Sequence, residues 1–209
     1  MLRFYMRKVL FLAPALAAAL SAQEVRLPQL KLEDTAPGPQ RELAQQMISQ
    51  TRSGLTGPFN SMLRSPEMSK GLMDLYLYFR YKTALPRPLV EIAILVTGRE
   101  WHAPFEWYMH YPIAVTEGVS PALLADLREG RRPSAMKPED AAVLDFATEL
   151  LRTHQVGDTT YKTALRLFGE KNVVDLTSLV ATYSAYAALL NVNRQPLPPG
   201  EGPRYLPAQ

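Results

Sequence analysis

The chain has 209 residues, no cysteine, 23 basic and 20 acidic side chains, and a formal charge of +3. Three of the basic residues, Arg3, Arg7 and Lys8, sit at the very start; the remainder carries 20 of each sign and offers no electrostatic footprint for nucleic acid. Without a thiol neither a disulfide framework nor thiol redox chemistry is open to the protein, so packing alone must hold a chain long enough for one domain with a substantial core.

Residues 1–22 read as a secretory leader: the basic start, an apolar stretch from Val9 to Leu20, and the small-residue run Ala19-Leu20-Ser21-Ala22 as a cleavage region. The apolar stretch is too short for the roughly 20 residues that a bilayer span requires. The expectation is an exported protein, periplasmic or secreted, that begins near Gln23 and keeps no stable membrane span.

Residues 23–56 form a lead-in with Pro28, Pro37 and Pro39, then a helix from Gln40 to Thr51 that Gly54 and Gly57 break. Gly57-Pro58-Phe59-Asn60 opens a short helical turn. Ser65-Pro66-Glu67 starts a helix to about Thr83 whose inward stripe reads as Leu72, Leu75, Tyr76 and Phe79. Pro88 suits the first turn of a helix through Leu89, Ile92, Ala93, Leu95 and Val96, apolar nearly all round and therefore buried, with Gly98 as its expected break. Pro104 opens the next helix, Phe105 to Tyr111. Pro112 cannot donate to the Tyr108 carbonyl, which predicts a kink just after His110 and a freed backbone acceptor.

Gly118 marks a helix end, and Ser120-Pro121 starts a helix to Arg128. The basic run Arg128 to Arg132 is read as a solvated helix end, followed by a loop to Pro138. A helix from Pro138 to Thr153 turns Ala142, Val143, Phe146, Leu150 and Leu151 inward. Thr159 to Phe168 forms another before Gly169, and a last helix from Lys171 to Asn191 carries Val174, Leu176, Leu179, Val180, Tyr183, Tyr186 and Leu190. Residues 194–209, rich in proline, read as an extended arm. No alternating strand pattern occurs, so the expected fold class is all-α, a helical bundle.

Chemistry concentrates between Val90 and Pro112. Glu91 lies in an apolar helix and needs a partner. Glu106 and His110, four apart, share one helix face, where a carboxylate orients an imidazole and raises its basicity. His102, Glu106 and His110 also have metal-ligand types at four-residue spacing, but Pro104 takes His102 off the shared face, so no metal is assigned. On spacing alone, a satisfied core pair and a proton-transfer site both remain open.

From Gly57 to Asn193, through GPFNSMLRSPEMSKGL, LPRPLVEIAIL and FEWYMHYPIAVTEGVS, the chain resembles the carboxymuconolactone decarboxylase family within the alkylhydroperoxidase D-like superfamily. The peroxidase branch carries a glutamate, two cysteines three apart, and a histidine four beyond the second. Glu91 and His110 match the acid and base; Ala103 and Glu106 stand at the cysteine positions. The resemblance implies an alkylhydroperoxidase D-like bundle, assembly as a homo-oligomer (trimer or hexamer), and a turn around Phe59 and Asn60 near the pocket.

The resulting expectation is a cofactor-free decarboxylase-like enzyme acting on a small unsaturated or lactone carboxylate. His110 gives the proton, Glu91 and Glu106 tune it, and Phe59, Asn60, Phe105, Trp107 and Tyr108 form the substrate wall. Arg80, Arg87 and Arg99 are the nearest candidates for an anion anchor, none singled out by the sequence. The alternatives are an exported non-catalytic binding or assembly protein on the same fold and a metal-dependent variant.

Overall fold

The computed structural model describes residues 24–207; the expected leader lies outside them. Among the described residues there are eight α-helices and no strand: α1 Pro39–Gln50, α2 Pro58–Met62, α3 Pro66–Tyr81, α4 Arg87–Glu100, α5 Pro104–Thr116, α6 Pro121–Arg128, α7 Pro138–Thr153 and α8 Asp158–Asn193. Seven of them, α1 to α7, carry proline in the first turn, where its missing N–H removes no helical bond and its fixed φ favours the helix. A short 3-10 turn, Leu32–Asp34, precedes α1.

Helix α4 is the axis of the bundle. Every residue from Leu89 to Gly98 is buried, and α5, α7 and α8 all pack against it. Gly98 does not end the helix. A Cβ at this position would lie 3.3 Å from Glu106 Cβ and 3.5 Å from the Trp107 amide nitrogen, so the missing side chain is what lets α5 approach. Glu91 and Gly98 are two turns apart on α4; they face His110 and Glu106, respectively, on α5, so the two helices run antiparallel through the short turn at Trp101 to Ala103.

The inward stripe of α3 is Ser69, Met73, Tyr76 and Phe79; Leu75 is exposed and Leu72 only partly buried. Tyr76 and Phe79 are buried as the sequence reading has them, but Met73 takes the place of Leu72 and Leu75, because leucine marks either face of an amphipathic helix equally well and packing against α1 and α8 selected the Met73 face. Val174 is likewise exposed, and its neighbour Val173 is the core residue. Gly169, at φ 76° and ψ 165°, interrupts α8 where the sequence expects a break between two helices.

The lead-in docks onto the bundle. Asn193 accepts the Arg26 amide on its carbonyl at 3.2 Å and the Leu27 amide on Oδ1 at 2.6 Å. The C-terminal arm also departs from expectation. It folds back onto α5 and α6: the Trp107 indole donates to the Pro203 carbonyl at 3.1 Å, Arg128 Nε to the Tyr205 carbonyl at 2.6 Å, and Leu206 packs on the core.

Gly57, just before α2, has φ 61° and ψ −137°, and a Cβ there would stand 2.5 Å from Phe105 Cε1. Gly57→Ala is predicted to cost roughly 2–4 kcal/mol, combining an unfavourable backbone with displacement of a buried ring. Urea unfolding midpoints of the two proteins check it; a loss below about 0.5 kcal/mol would show that the Phe105 ring yields freely.

Candidate functional site

Glu91 is fully buried and three contacts surround its carboxylate. Oε1 accepts Arg80 Nη1 from α3 at 2.6 Å and Arg87 Nη2, one turn back on α4, at 2.9 Å. Oε2 accepts His110 Nδ1–H from α5 at 2.7 Å. The other imidazole nitrogen, Nε2, stands 3.2 Å from Glu106 Oε1. Three helices therefore converge on one carboxylate, and both histidine nitrogens are held by acids. The cluster sets Arg80, Arg87 and protonated His110 against Glu91 and Glu106, and Arg87 also reaches Glu117 Oε1 at 3.9 Å, so cations and acids match three to three.

Burial opposes charge on the imidazole, but the Glu91 carboxylate and the hydrogen bonds to Glu106 and Glu91 outweigh it and raise the His110 pKa to about 9. Burial likewise pushes the Glu91 carboxyl upward, yet His110 and Arg80 outweigh it and hold that pKa below the usual carboxylate value. The imidazole is thus a cation at neutral pH. Its Nδ1–H is committed to a carboxylate that solvent does not reach, so Nε2 carries the proton that can be exchanged.

His110 and Glu106 open onto a cavity of about 210 Å³, mostly apolar in lining. One side is a relay of edge-on rings: Tyr76 on Phe59 at 5.2 Å, Phe59 on Tyr186 at 6.1 Å, Tyr186 on Tyr183 at 5.3 Å, and Tyr183 on His110 at 5.3 Å. Phe105 closes another side. The Tyr186 hydroxyl donates to the Leu72 carbonyl at 2.7 Å, whereas the buried Tyr183 hydroxyl has no hydrogen-bond partner among the described residues. Burial raises the Tyr183 pKa well above the usual phenol value and keeps that hydroxyl a proton donor.

Of the wall residues expected from the sequence, Phe59 and Phe105 line the cavity and three do not. Asn60 is a bracket for the lead-in: Nδ2 donates to the Leu30 and Leu55 carbonyls at 2.8 and 2.9 Å, and Oδ1 accepts the Leu30 amide at 3.0 Å. Trp107 is fully buried in the core with its indole N–H on the arm. Tyr108 lies under the guanidinium of Arg204, 3.6 Å from ring centroid to Cζ. A helix shows the pocket only one stripe, here Phe105, Glu106, Met109 and His110, so consecutive positions 107 and 108 point elsewhere.

The three arginines considered as anchors separate clearly. Arg80 lines the cavity with Nη1 bound to Glu91; Arg87 reaches Glu91 and the Phe79 carbonyl; Arg99 turns away to the Arg128 carbonyl. His102, with φ 46°, borders a separate cleft beside Pro104 and Leu190, and among the described residues no three metal-ligating side chains converge. The sequence reading missed Arg52, Arg204, Met109 and Ile113 on the cavity and placed Tyr183 and Tyr186 only in the core stripe. The Arg87–Glu91 pair was readable from its four-residue spacing; Arg80, on another helix, gave no local signal.

No family model matches the sequence, and no curated protein matches it. Solved structures do. A protein from Ralstonia eutropha JMP134, described as an alkylhydroperoxidase AhpD core and an uncharacterized peroxidase-related protein, superposes with a TM-score of 0.66 at 16% identity, over 84% of this chain and 93% of that one. A protein of unknown function from Agrobacterium tumefaciens, described as a putative antioxidant defence protein AhpD, gives 0.61 at 17% identity over 69% and 100%. The chain has the alkylhydroperoxidase D-like fold. It has no cysteine: at the two positions the resemblance gives to cysteines, Ala103 is buried just before α5 and Glu106 faces the cavity.

The His110 pKa gives stability a defined pH dependence. The folded protein holds this proton up to about pH 9, the unfolded chain only to about 6.5. The resulting stabilisation, roughly 3 kcal/mol, is therefore fully present below about pH 6.5 and lost as pH rises through 9. Denaturant midpoints of the native protein should fall across that window and those of His110→Gln should not; parallel curves would contradict the assignment.

Proposed function

We propose that the protein is an exported, cofactor-free decarboxylase-like enzyme in which the Glu91–His110–Glu106 chain handles a proton for a small unsaturated or lactone carboxylate. The observation that carries the reading is a charged, buried imidazole whose exchangeable nitrogen reaches a largely apolar cavity through a carboxylate. The size of the cavity favours a small substrate, and the three arginines on its wall, Arg52, Arg80 and Arg204, favour an anionic one. Thiol peroxidase chemistry is closed to a chain without cysteine.

In this mechanism the bond between the substrate's carboxylate and its carbon skeleton breaks and carbon dioxide leaves. The bonding electron pair passes into the conjugated carbonyl as a dienolate. An apolar wall disfavours the charged carboxylate more than the neutral product, and the Tyr183 hydroxyl, otherwise unpartnered, donates to the oxygen on which charge accumulates. The proton on His110 Nε2 passes to Glu106 Oε1 and from there to carbon, restoring a neutral skeleton. Glu91 holds Nδ1–H throughout, so the imidazole gives up only the proton that faces the cavity. The recipient of that proton is the carbanionic carbon, and no oxidant or reductant is required.

The purified protein should release carbon dioxide from at least one member of a panel of unsaturated carboxylates and carboxylated lactones. On that substrate, His110→Ala should lower kcat/KM by about 10²–10⁴-fold. Glu106→Gln breaks the relay to carbon and should lower kcat; it also removes a negative neighbour and should move the high-pH limb of the remaining rate to lower pH. Full turnover by folded His110→Ala would end the catalytic reading; a panel without turnover, but with binding, would favour a binding protein on the same fold.

Tyr183→Phe separates catalysis from structure. Removing a hydroxyl that bonds to nothing should leave stability unchanged or slightly raised, yet reduce kcat by roughly 10–10³-fold through loss of an oxyanion donor. A loss of more than about 1 kcal/mol in stability with unchanged kcat would assign the hydroxyl to the fold instead.

A further inference from the structure

Pro112 lies inside α5 and has no N–H to give the Tyr108 carbonyl, four residues earlier. The helix nonetheless continues to Thr116, and the vacant acceptor is filled from far along the chain: Arg204 Nε donates to the Tyr108 carbonyl at 2.9 Å. The same guanidinium lies flat over the Tyr108 ring, and Tyr205 packs on that ring from its own side chain at 5.3 Å. With the bonds at Pro203 and Tyr205, the arm is fixed on both sides of Arg204.

Those restraints use Nε and one face of the guanidinium. The two terminal nitrogens have no acceptor among the described residues, and no carboxylate there lies within ion-pair distance of them. Arg204 nevertheless lines the cavity that holds Glu106 and His110. Arg52, from the turn after α1, lines it too and has no acid partner among the described residues. An arginine held by a backbone carbonyl and an aromatic face, with its paired N–H groups left over, is preorganised for a planar two-oxygen anion.

We propose that Arg204, delivered by the C-terminal arm and assisted by Arg52, is the carboxylate-anchoring group of this cavity, so that the ligands it takes are small organic carboxylates. This deepens the decarboxylase-like reading and rests on it for the reaction, but the anchor itself is a matter of binding. The arm is then part of the site, and Pro112 is the feature of α5 that fixes Arg204 in place.

Calorimetric titration of the full protein with benzoate and with benzamide, alike in shape but different in charge, tests the anchor without turnover. The native protein should bind benzoate more tightly than benzamide. Arg204→Gln should weaken benzoate by about tenfold or more, the loss of a charge-assisted bidentate pair, while benzamide changes by less than about threefold. Arg52→Gln should weaken benzoate by a smaller factor. Equal loss of both ligands in Arg204→Gln would mean that the residue only holds the arm, and unchanged benzoate affinity, or no benzoate binding by the native protein, would overturn the proposal outright. Absence of decarboxylation with the benzoate preference intact would instead count against the reaction alone.

Discussion

A carboxylate with no exposure to water at the centre of a bundle is tolerable only if opposite charge surrounds it, and Glu91 sets that condition for the whole structure. Its partners come from three helices: Arg80 on α3, Arg87 on α4 and His110 on α5. Each partner is exact in register, because sliding α3 or α5 by one residue would turn the arginine or the imidazole off the shared face. A purely apolar interface between these helices could tolerate such a slip more easily. The charge cluster thus specifies how the helices meet as well as what chemistry they can perform.

The same cluster leaves a carboxylate and a charged imidazole facing one cavity. Where the resembling peroxidases place a cysteine, this chain places Glu106, still on the cavity wall and still within reach of the histidine. Gly98 gives the glutamate room, since a Cβ there would stand 3.3 Å from Glu106 Cβ and 3.5 Å from its Cγ. The Glu91–His110 contact keeps the imidazole charged.

Local irregularities are completed by remote segments at two places. Pro112 vacates a carbonyl on α5, and Arg204, 96 positions beyond Tyr108, occupies it. Asn60 on α2 satisfies both the amide and the carbonyl of Leu30 in the lead-in. Both segments look like tails in the sequence because proline disfavours regular structure, but a proline-rich segment that has lost little entropy on ordering can dock at modest cost. Their hydrogen bonds to buried groups explain why these two segments follow the surface of the bundle.

Periodicity, prolines at helix starts and glycines at helix ends were enough to place all eight helices and the interruption at Gly169, because these signals act within a few residues. The four-residue spacing of Glu106 and His110 was sufficient to put them on one face. Which side of α3 is buried was settled elsewhere: Met73 and Leu75 are both apolar, and only contact with neighbouring helices distinguishes them. The same holds for the aromatic run on α5, where the sequence offers Phe105, Trp107 and Tyr108 equally and the cavity takes the first. The Arg80 contact with Glu91 and the return of Arg204 to the Tyr108 carbonyl join residues 11 and 96 positions apart. No local pattern encodes such distances, so the sequence determined the helices and the proton-handling pair, and tertiary packing decided what surrounds that pair and from which segment each charge arrives.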